Sequence, residues 1–234
     1  MGTILAIDTS AETASVALLH HGLLHWLDAC SSASASHSQM ILPMIQQLLQ
    51  RVGVTISACD AIAFGAGPGS FTGVRTACGV AQGLAFGADL PVVPVNTLEA
   101  MALGCHQKTG ANAVVSVVDA RMGEVYWARY DFKPERHLVI APTLSAPAKV
   151  IVSSSVTACG NGLLAHSAHF AEQAVLLSML PELMPHAMQV ATLASEAFTQ
   201  GLYVTARDAQ PIYLRNNIAL TTLERQLKKQ QGAL

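Results

Sequence analysis

Residues 61–89 read AIAFGAGPGSFTGVRTACGVAQGLAFGAD, and this stretch decides how the chain folds. The apolar run Ala61–Phe64 predicts a buried strand, a glycine-rich turn follows at 65–69, and the pattern from Thr72 to Phe86 predicts a helix. A strand, a glycine turn and a helix in this order direct backbone N–H groups towards an anion. The same glycines could serve only to permit a sharp turn, because the stretch contains neither a P-loop motif nor a clear dinucleotide-binding fingerprint.

The helix predicted after this turn carries a strip of small residues. At about 100° per residue, the strip comprises Thr72, Thr76, Gly79, Gly83 and Gly87. Glycine inside a helix costs about 1 kcal/mol relative to alanine, so three glycines at four-residue spacing indicate that another backbone approaches closely there. The alternative is a helix that is fully buried within one domain.

The composition favours a protein that is covered by a partner. The chain has 234 residues, of which 51% are hydrophobic and 12% are charged, and its net charge is −2. Soluble domains average about 25% charged residues, and the near-neutral charge predicts no electrostatic footprint for nucleic acid. The five cysteines are isolated and lack metal-ligand spacing, and neither a signal peptide nor a membrane-spanning run is visible. We therefore expect a reduced, cytoplasmic protein without a membrane anchor.

The first 60 residues predict a strand meander and a second helix with a broad apolar face. Strands are expected at 3–8, 13–19 and 23–27, and a helix at 37–52 whose apolar residues spread over about 200°. Together with the later helix this predicts one exposed apolar patch of the kind found at interfaces. The predicted interface residues are Met40, Ile41, Met44, Ile45 and Leu48 on the earlier helix and Thr76, Gly79, Val80, Gly83 and Gly87 on the later one.

The second half of the chain repeats a strand-rich beginning, which predicts two lobes. The predicted elements are strands at 91–96, 113–119, 124–130, 156–159 and 211–215, helices at 97–107, 182–200 and 223–230, and an irregular region at 133–150. We expect an N-terminal lobe at 1–106 and a C-terminal lobe at 107–234, with the final helix packed back on the first lobe.

Four segments of the chain resemble the bacterial TsaB family, also called YeaZ. They are ILAIDTS at 4–10, GAGPGSFTGVR at 65–75, DARMGEVYWARY at 119–130 and PIYLRNN at 211–217. The resemblance implies an α/β protein with a two-lobed actin-like or sugar-kinase-like (ASKHA) fold, in which helices flank mixed sheets. It also implies a scaffold or activating subunit in the biosynthesis of threonylcarbamoyladenosine (t6A) in tRNA.

The resemblance further implies which partners the chain has. It would pair with a catalytic TsaD-type subunit through its first two helices, and with a second copy of itself when alone. A TsaE-type ATPase would join the assembly, and tRNA would be contacted only indirectly.

The candidate site residues argue against a complete catalytic centre. The catalytic paralogue carries two histidines four residues apart on the helix after the first hairpin, whereas here His37 is followed at that spacing by Ile41. His166 and His169 have no carboxylate or cysteine near them in sequence. We therefore predict no catalytic residue and no metal site.

A remnant of a nucleotide site is predicted at Asp8, Gly67, Gly69 and Ser70, and the second lobe adds only the turn at 160–162. Asp8 could hold a magnesium ion or a water against a phosphate, or it could only satisfy amides of its own turn. We expect no resident cofactor, with ATP or ADP bound only at a partner interface. The alternative is a self-sufficient ATP-dependent enzyme of the sugar-kinase type, which Asp8 and the glycine turn would support. A metalloprotease is not expected, because the chain has no His-Glu-x-x-His motif.

Overall fold

The computed structural model describes residues 2–30, 36–150, 156–170 and 176–215, and it contains two five-stranded sheets. The first sheet comprises β1 (Ile4–Asp8), β2 (Thr13–His20), β3 (Leu23–Cys30), β4 (Ala61–Gly67) and β5 (Val92–Asn96), in the order β3-β2-β1-β4-β5. β1, β2 and β3 form an antiparallel meander, and β4 and β5 continue the sheet in parallel with β1. Every residue of β1 and β4 is buried, because helices cover both faces of the sheet.

The second sheet repeats this plan strand by strand. It comprises β6 (Ala113–Asp119), β7 (Val125–Asp131), β8 (His137–Ser145), β9 (Val156–Cys159) and β10 (Leu176–Leu180), in the order β10-β9-β6-β7-β8. Again three antiparallel strands are followed by two parallel ones. The duplicated mixed sheets, flanked by helices, confirm the predicted two-lobed α/β fold of actin-like type.

Six α-helices and two single-turn 3-10 helices (Ile56–Ala58 and Pro147–Lys149) complete the described part of the chain, and the α-helices are named in chain order. They are α1 (His37–Val52), α2 (Phe71–Ala88), α3 (Thr97–Thr109), α4 (Gly162–Ala165), α5 (Ser167–Phe170) and α6 (Ala187–Thr199). α1 and α2 lie side by side on one face of the first sheet and α6 covers the other face, while α3 packs on the second sheet and against α6. Among the described residues, no helix is long and apolar enough to cross a membrane.

The caps of the helices explain why the sequence located them well. Ser36 begins α1 with a capping box, in which the Ser36 amide donates to the Gln39 side chain at 2.9 Å. The Asn96 carboxamide accepts from the amide of Leu98 at 2.9 Å at the start of α3. Gly53 and Gly110 end α1 and α3 with φ values of 77° and 71°, which favour glycine.

Three secondary-structure predictions are wrong, each for a local reason. The region 133–150 was expected to be irregular, but β8 forms there because an edge strand with a shifted register tolerates Pro142. The helix expected at 182–200 begins only at Ala187, since Pro185 disfavours helical geometry in the residue before it. Residues 211–215 form no strand, because their one backbone bond to the first sheet is that from Ile212 to Ala66.

The predicted lobe boundary and the predicted last helix both stay predictions. The helix expected at 223–230 lies outside the described residues. The boundary expected at residue 106 falls inside α3 and stays a prediction. α6 packs on the first sheet although it belongs to the second half of the chain, so the chain returns to the first lobe after building the second.

Candidate functional site

A cleft of about 700 Å³ lies between the two lobes. The first lobe contributes the turn after β1 and the N-terminal end of α2, and the second lobe contributes the ends of β6 and β9. The segment 212–215 lines a third side. This cleft is where the predicted nucleotide remnant was expected, so its polar groups decide whether it is equipped to bind phosphate.

Asp8 does not line the cleft, because its side chain is fully buried at the end of β1. Its Oδ1 accepts hydrogen bonds from the Ser10 amide at 2.9 Å and from the Ser10 hydroxyl at 2.8 Å. Its Oδ2 has no hydrogen-bond partner among the residues that the structure describes, and it faces Gly65, where a Cβ atom would lie only 1.8 Å away. Asp8 therefore binds its own turn, which is the second of the two roles that the sequence left open.

The surroundings of Asp8 also raise the pKa of its carboxyl. Burial raises the pKa of the carboxyl to about 6, and the hydrogen bonds from Ser10 together with the nearby His37 oppose this rise only in part. The carboxyl is poorly placed to bind magnesium, because it is fully buried and one of its oxygens already accepts two hydrogen bonds from Ser10.

The glycine turn packs closely against the first lobe, and the amide of Ser70 is already bonded there. The Ser70 amide donates to the Ser10 carbonyl at 2.8 Å, and a Cβ atom on Gly69 would lie 2.6 Å from the same oxygen. Gly73, one turn into α2, packs against Thr9, whose carbonyl oxygen would lie 1.8 Å from an added Cβ atom. The Ser70 hydroxyl accepts from the Gly73 amide at 3.3 Å and caps the helix. Here the glycines allow close packing, and the Ser70 amide is already bonded within the protein.

Gly67 shapes this turn without lining the cleft. It has a φ of 104° and is followed by a cis peptide bond to Pro68. A Cβ atom on Gly67 would lie 3.1 Å from the Ile212 carbonyl oxygen, so the residue admits the C-terminal segment. Of the four predicted remnant residues, the structure brings only Gly69 and Ser70 to the cleft wall.

The second lobe presents a hydrogen-bonded turn to the cleft. The Asn161 carboxamide oxygen accepts from the Asp119 amide at 3.0 Å, which joins the ends of β6 and β9. The Asp119 carboxylate accepts from the Arg121 amide at 3.0 Å and lies 3.5 Å from the His166 ring. The His37 ring lies on the other side, 2.9 Å from the Glu12 carbonyl oxygen. Across the described ranges, no three His, Cys, Asp or Glu side chains are grouped so that they could hold a metal ion.

Helix α1 uses most of its apolar side chains inside its own lobe. Four residues predicted for an interface, namely Ile41, Met44, Ile45 and Leu48, are buried against the first sheet. The prediction that they form a contact surface is wrong, because β2, β3 and α2 already cover them. Met40 is partly buried, and Leu42, which was not predicted, is half exposed.

Helix α2 has an uncovered side that matches the small-residue strip. Gly79, Gly83 and Gly87 are exposed, and a Cβ atom added at any of them would meet nothing within 4 Å. Thr72 is exposed, while Thr76 and Val80 are partly buried at its margin. We call the strip of Thr72, Thr76, Gly79, Gly83 and Gly87 the glycine face. Since the glycine face is open, the alternative of a fully buried helix is excluded for the described structure.

Large apolar side chains and the Arg75 guanidinium flank the glycine face, and the sequence did not single out the two phenylalanines. Phe86 is 84% exposed and Phe71 is 60% exposed, both on the same edge of α2. The Arg75 guanidinium lies 3.8 Å from the centre of the Phe71 ring. Helical angles alone place Phe71, Arg75 and Phe86 on this edge, so the same projection that located the glycines could have found them.

The comparisons with known proteins agree with the fold. A family model described as TsaD, tRNA N6-adenosine threonylcarbamoyltransferase, matches residues 31–222. The Escherichia coli tRNA threonylcarbamoyladenosine biosynthesis protein TsaB is 40% identical over 92% of this chain and 96% of its own length. The Haemophilus influenzae protein of the same name is 39% identical over 92% of this chain and 94% of its own. The structure of YeaZ from Pseudomonas aeruginosa superposes with a TM-score of 0.84 at 39% identity, covering 92% of this chain and all of that one. The chain belongs to the TsaB (YeaZ) family, as its four sequence segments predicted.

Proposed function

We propose that this chain is a non-catalytic subunit that binds and activates a TsaD-type catalytic subunit during t6A formation in tRNA. Its relatives in Escherichia coli and Haemophilus influenzae are named as biosynthesis proteins of this pathway. We infer that it acts in the cytoplasm and contacts tRNA only through the assembly. A TsaE-type ATPase joins the complex, and a second copy of the chain takes the partner's place when the catalytic subunit is absent.

The observation that carries the proposal is the open glycine face of α2. Glycine at three solvent-exposed helical positions destabilises the helix, by about 1 kcal/mol each relative to alanine, and no close packing within the described part of the chain requires it there. A surface without side chains lets the backbone of a second helix approach closely. Phe71, Arg75 and Phe86 beside it are of the types that dominate protein interfaces.

The cleft supports the non-catalytic part of the proposal. The Ser70 amide is already bonded to Ser10, and the Asp8 carboxyl is buried and bonded to its own turn. A sugar-kinase-type enzyme needs these groups free for the phosphates and for magnesium, so neither feature favours that alternative. ATP or ADP would then bind only where a partner supplies further groups.

The experiment compares two bulky substitutions on different helices. Gly83→Phe fills the centre of the glycine face, and nothing lies within 4 Å of an added Cβ atom there, so the monomer still folds. Gln107→Phe is the control, because Gln107 is exposed on α3, which packs on the second sheet. Affinity for the catalytic subunit is measured by sedimentation velocity, with circular dichroism to check folding.

We expect Gly83→Phe to weaken binding by at least roughly 30-fold, equivalent to about 2 kcal/mol, and Gln107→Phe to bind like the wild type. Undiminished binding by a folded Gly83→Phe protein would refute the use of this face.

A further inference from the structure

The segment that follows α6 returns across the first lobe as a largely irregular chain with one turn at 206–208. The amides of Val92 and Val204 each donate to the other's carbonyl at 2.9 Å, so the segment begins by pairing with β5. It then runs beside α2, where the Ala209 carbonyl accepts from the Gln82 carboxamide at 3.0 Å and from the Cys78 thiol at 3.5 Å. Ala209 is buried, so this part of the segment is packed as well as bonded.

The next residues fix the segment to the cleft side of the first lobe. The Ile212 amide donates to the carbonyl of Ala66, near the end of β4, at 2.7 Å. The Tyr213 hydroxyl accepts from Nε of Arg75 at 2.8 Å. Up to Tyr213, therefore, each of these bonds joins the segment to the first lobe.

Two residues later the segment binds the second lobe. One terminal nitrogen of Arg215 donates to the Ala120 carbonyl at 3.0 Å and lies 2.9 Å from the Glu124 carboxylate. The other lies 2.9 Å from the Met122 sulfur. The planar guanidinium presents several donors at fixed angles, so one side chain can hold several points of one turn.

The turn that Arg215 binds is itself unusual. Arg121, Met122 and Gly123 link β6 to β7 with φ values of 62°, 57° and 76°. Left-handed backbone is disfavoured for residues with a Cβ atom, and it persists where the surroundings impose it. The contacts of Arg215 on both sides of this turn, at Ala120 and Glu124, supply part of that support.

We propose that residues 203–215 are a strap that closes the inter-lobe cleft and holds the two lobes at one angle, with Arg215 as its latch. The strap crosses from the first lobe to the second within residues 212–215, and these same residues line the cleft. Residues 210–215 contain no helix and no sheet bridge, so this end of the strap can leave the second lobe without unfolding either sheet, while Ala209 stays packed on the first lobe. Release of Arg215 frees the β6–β7 turn and exposes the cleft.

The test is hydrogen exchange of the purified chain followed by mass spectrometry. Arg215→Met removes the latch but keeps an unbranched side chain. Arg121→Met is the matched control, because Arg121 is in the same turn but is exposed and, within the described ranges, pairs with Asp119 alone, at 3.4 Å. We expect amides of the strap and of the β6–β7 turn to exchange about tenfold faster in Arg215→Met, while the sheets stay protected. Arg121→Met should exchange like the wild type.

A double-variant comparison separates a latch from general destabilisation. Glu124→Gln removes the partner carboxylate from the opposite side, so it should speed exchange of the same amides. The combination of Arg215→Met and Glu124→Gln should then exchange no faster than Arg215→Met alone, because the contact that Glu124→Gln removes is already lost in Arg215→Met. Unchanged exchange in Arg215→Met, or fully additive effects in the double variant, would overturn the proposal. The strap does not depend on the proposed partner, so it can fail or stand independently of that function.

Discussion

Replacement of the three exposed glycines of α2 by alanine should make the isolated chain more stable. In the triple variant Gly79→Ala, Gly83→Ala and Gly87→Ala, each new methyl group enters open space, since nothing lies within 4 Å of the added Cβ atoms. Alanine is favoured over glycine inside a helix by about 0.5–1 kcal/mol per position. The expected gain in the free energy of unfolding is therefore about 2 kcal/mol.

The assay is urea denaturation followed by circular dichroism over a dilution series. Self-association would stabilise the wild type in a concentration-dependent way, so the comparison is made where the midpoint no longer changes with dilution. The control is Gly73→Ala on the same helix. Its methyl group would lie 1.8 Å from the Thr9 carbonyl oxygen, so this variant should be strongly destabilised.

The two results together separate glycines that the fold needs from glycines that it does not. The triple variant should also bind the catalytic subunit more weakly than the wild type, because three methyl groups hold the helices apart. A triple variant that is less stable than the wild type as a monomer would refute the reasoning, because the glycines would then serve the fold and not an interface.

Three further predictions concern groups in and around the lobes. The Asp8 pKa of about 6 lies above its unfolded value of 3.8, so the stability that the neutral carboxyl provides is lost as pH rises through about 6. Between about pH 5 and about pH 8 the free energy of unfolding of the wild type should fall by about 1 kcal/mol more than that of Asp8→Asn. The same change with pH in both proteins, measured by urea denaturation, would contradict this. Ser70→Ala removes the cap of α2 and should cost about 1 kcal/mol, while calorimetry with Mg-ATP should give no saturable heat for either protein. Micromolar binding of Mg-ATP to the wild type that is lost in Ser70→Ala would instead show that the cleft is a nucleotide site. Arg136 joins Glu99 on α3 to Glu196 on α6, and Arg136→Met should cost about 1–2 kcal/mol in urea denaturation; an unchanged midpoint would show that the network is dispensable.

The sequence predicted α2 and its glycine face because both depend on local periodicity. Four-residue spacing of small residues is visible in a helical projection, and the caps at Ser36 and Asn96 mark the helix starts. The apolar face of α1 was misjudged because periodicity gives the width of an apolar surface but not what covers it. The first sheet covers Ile41, Met44, Ile45 and Leu48, and only contacts distant in sequence reveal this.

The site and the strap also depend on contacts between residues that local sequence patterns do not connect. The role of Asp8 was left open between two possibilities, and only the position of Ser10 and the burial of the carboxyl decide between them. Arg215 and Glu124 are far apart in the chain, and no local pattern connects them. The residue types of the segment 211–215 predict a strand, although the backbone bond from Ile212 to β4 is the one that it makes to the described sheets.

The central claim is that the chain acts through the glycine face and not through its cleft. The most direct test measures t6A formed on tRNA by the chain reconstituted with the TsaD-type and TsaE-type subunits. The account predicts that Gly83→Phe lowers the initial rate by at least roughly tenfold, whereas Asp8→Asn stays close to the wild type. Full activity with Gly83→Phe, or loss of activity with a folded Asp8→Asn protein, would contradict it.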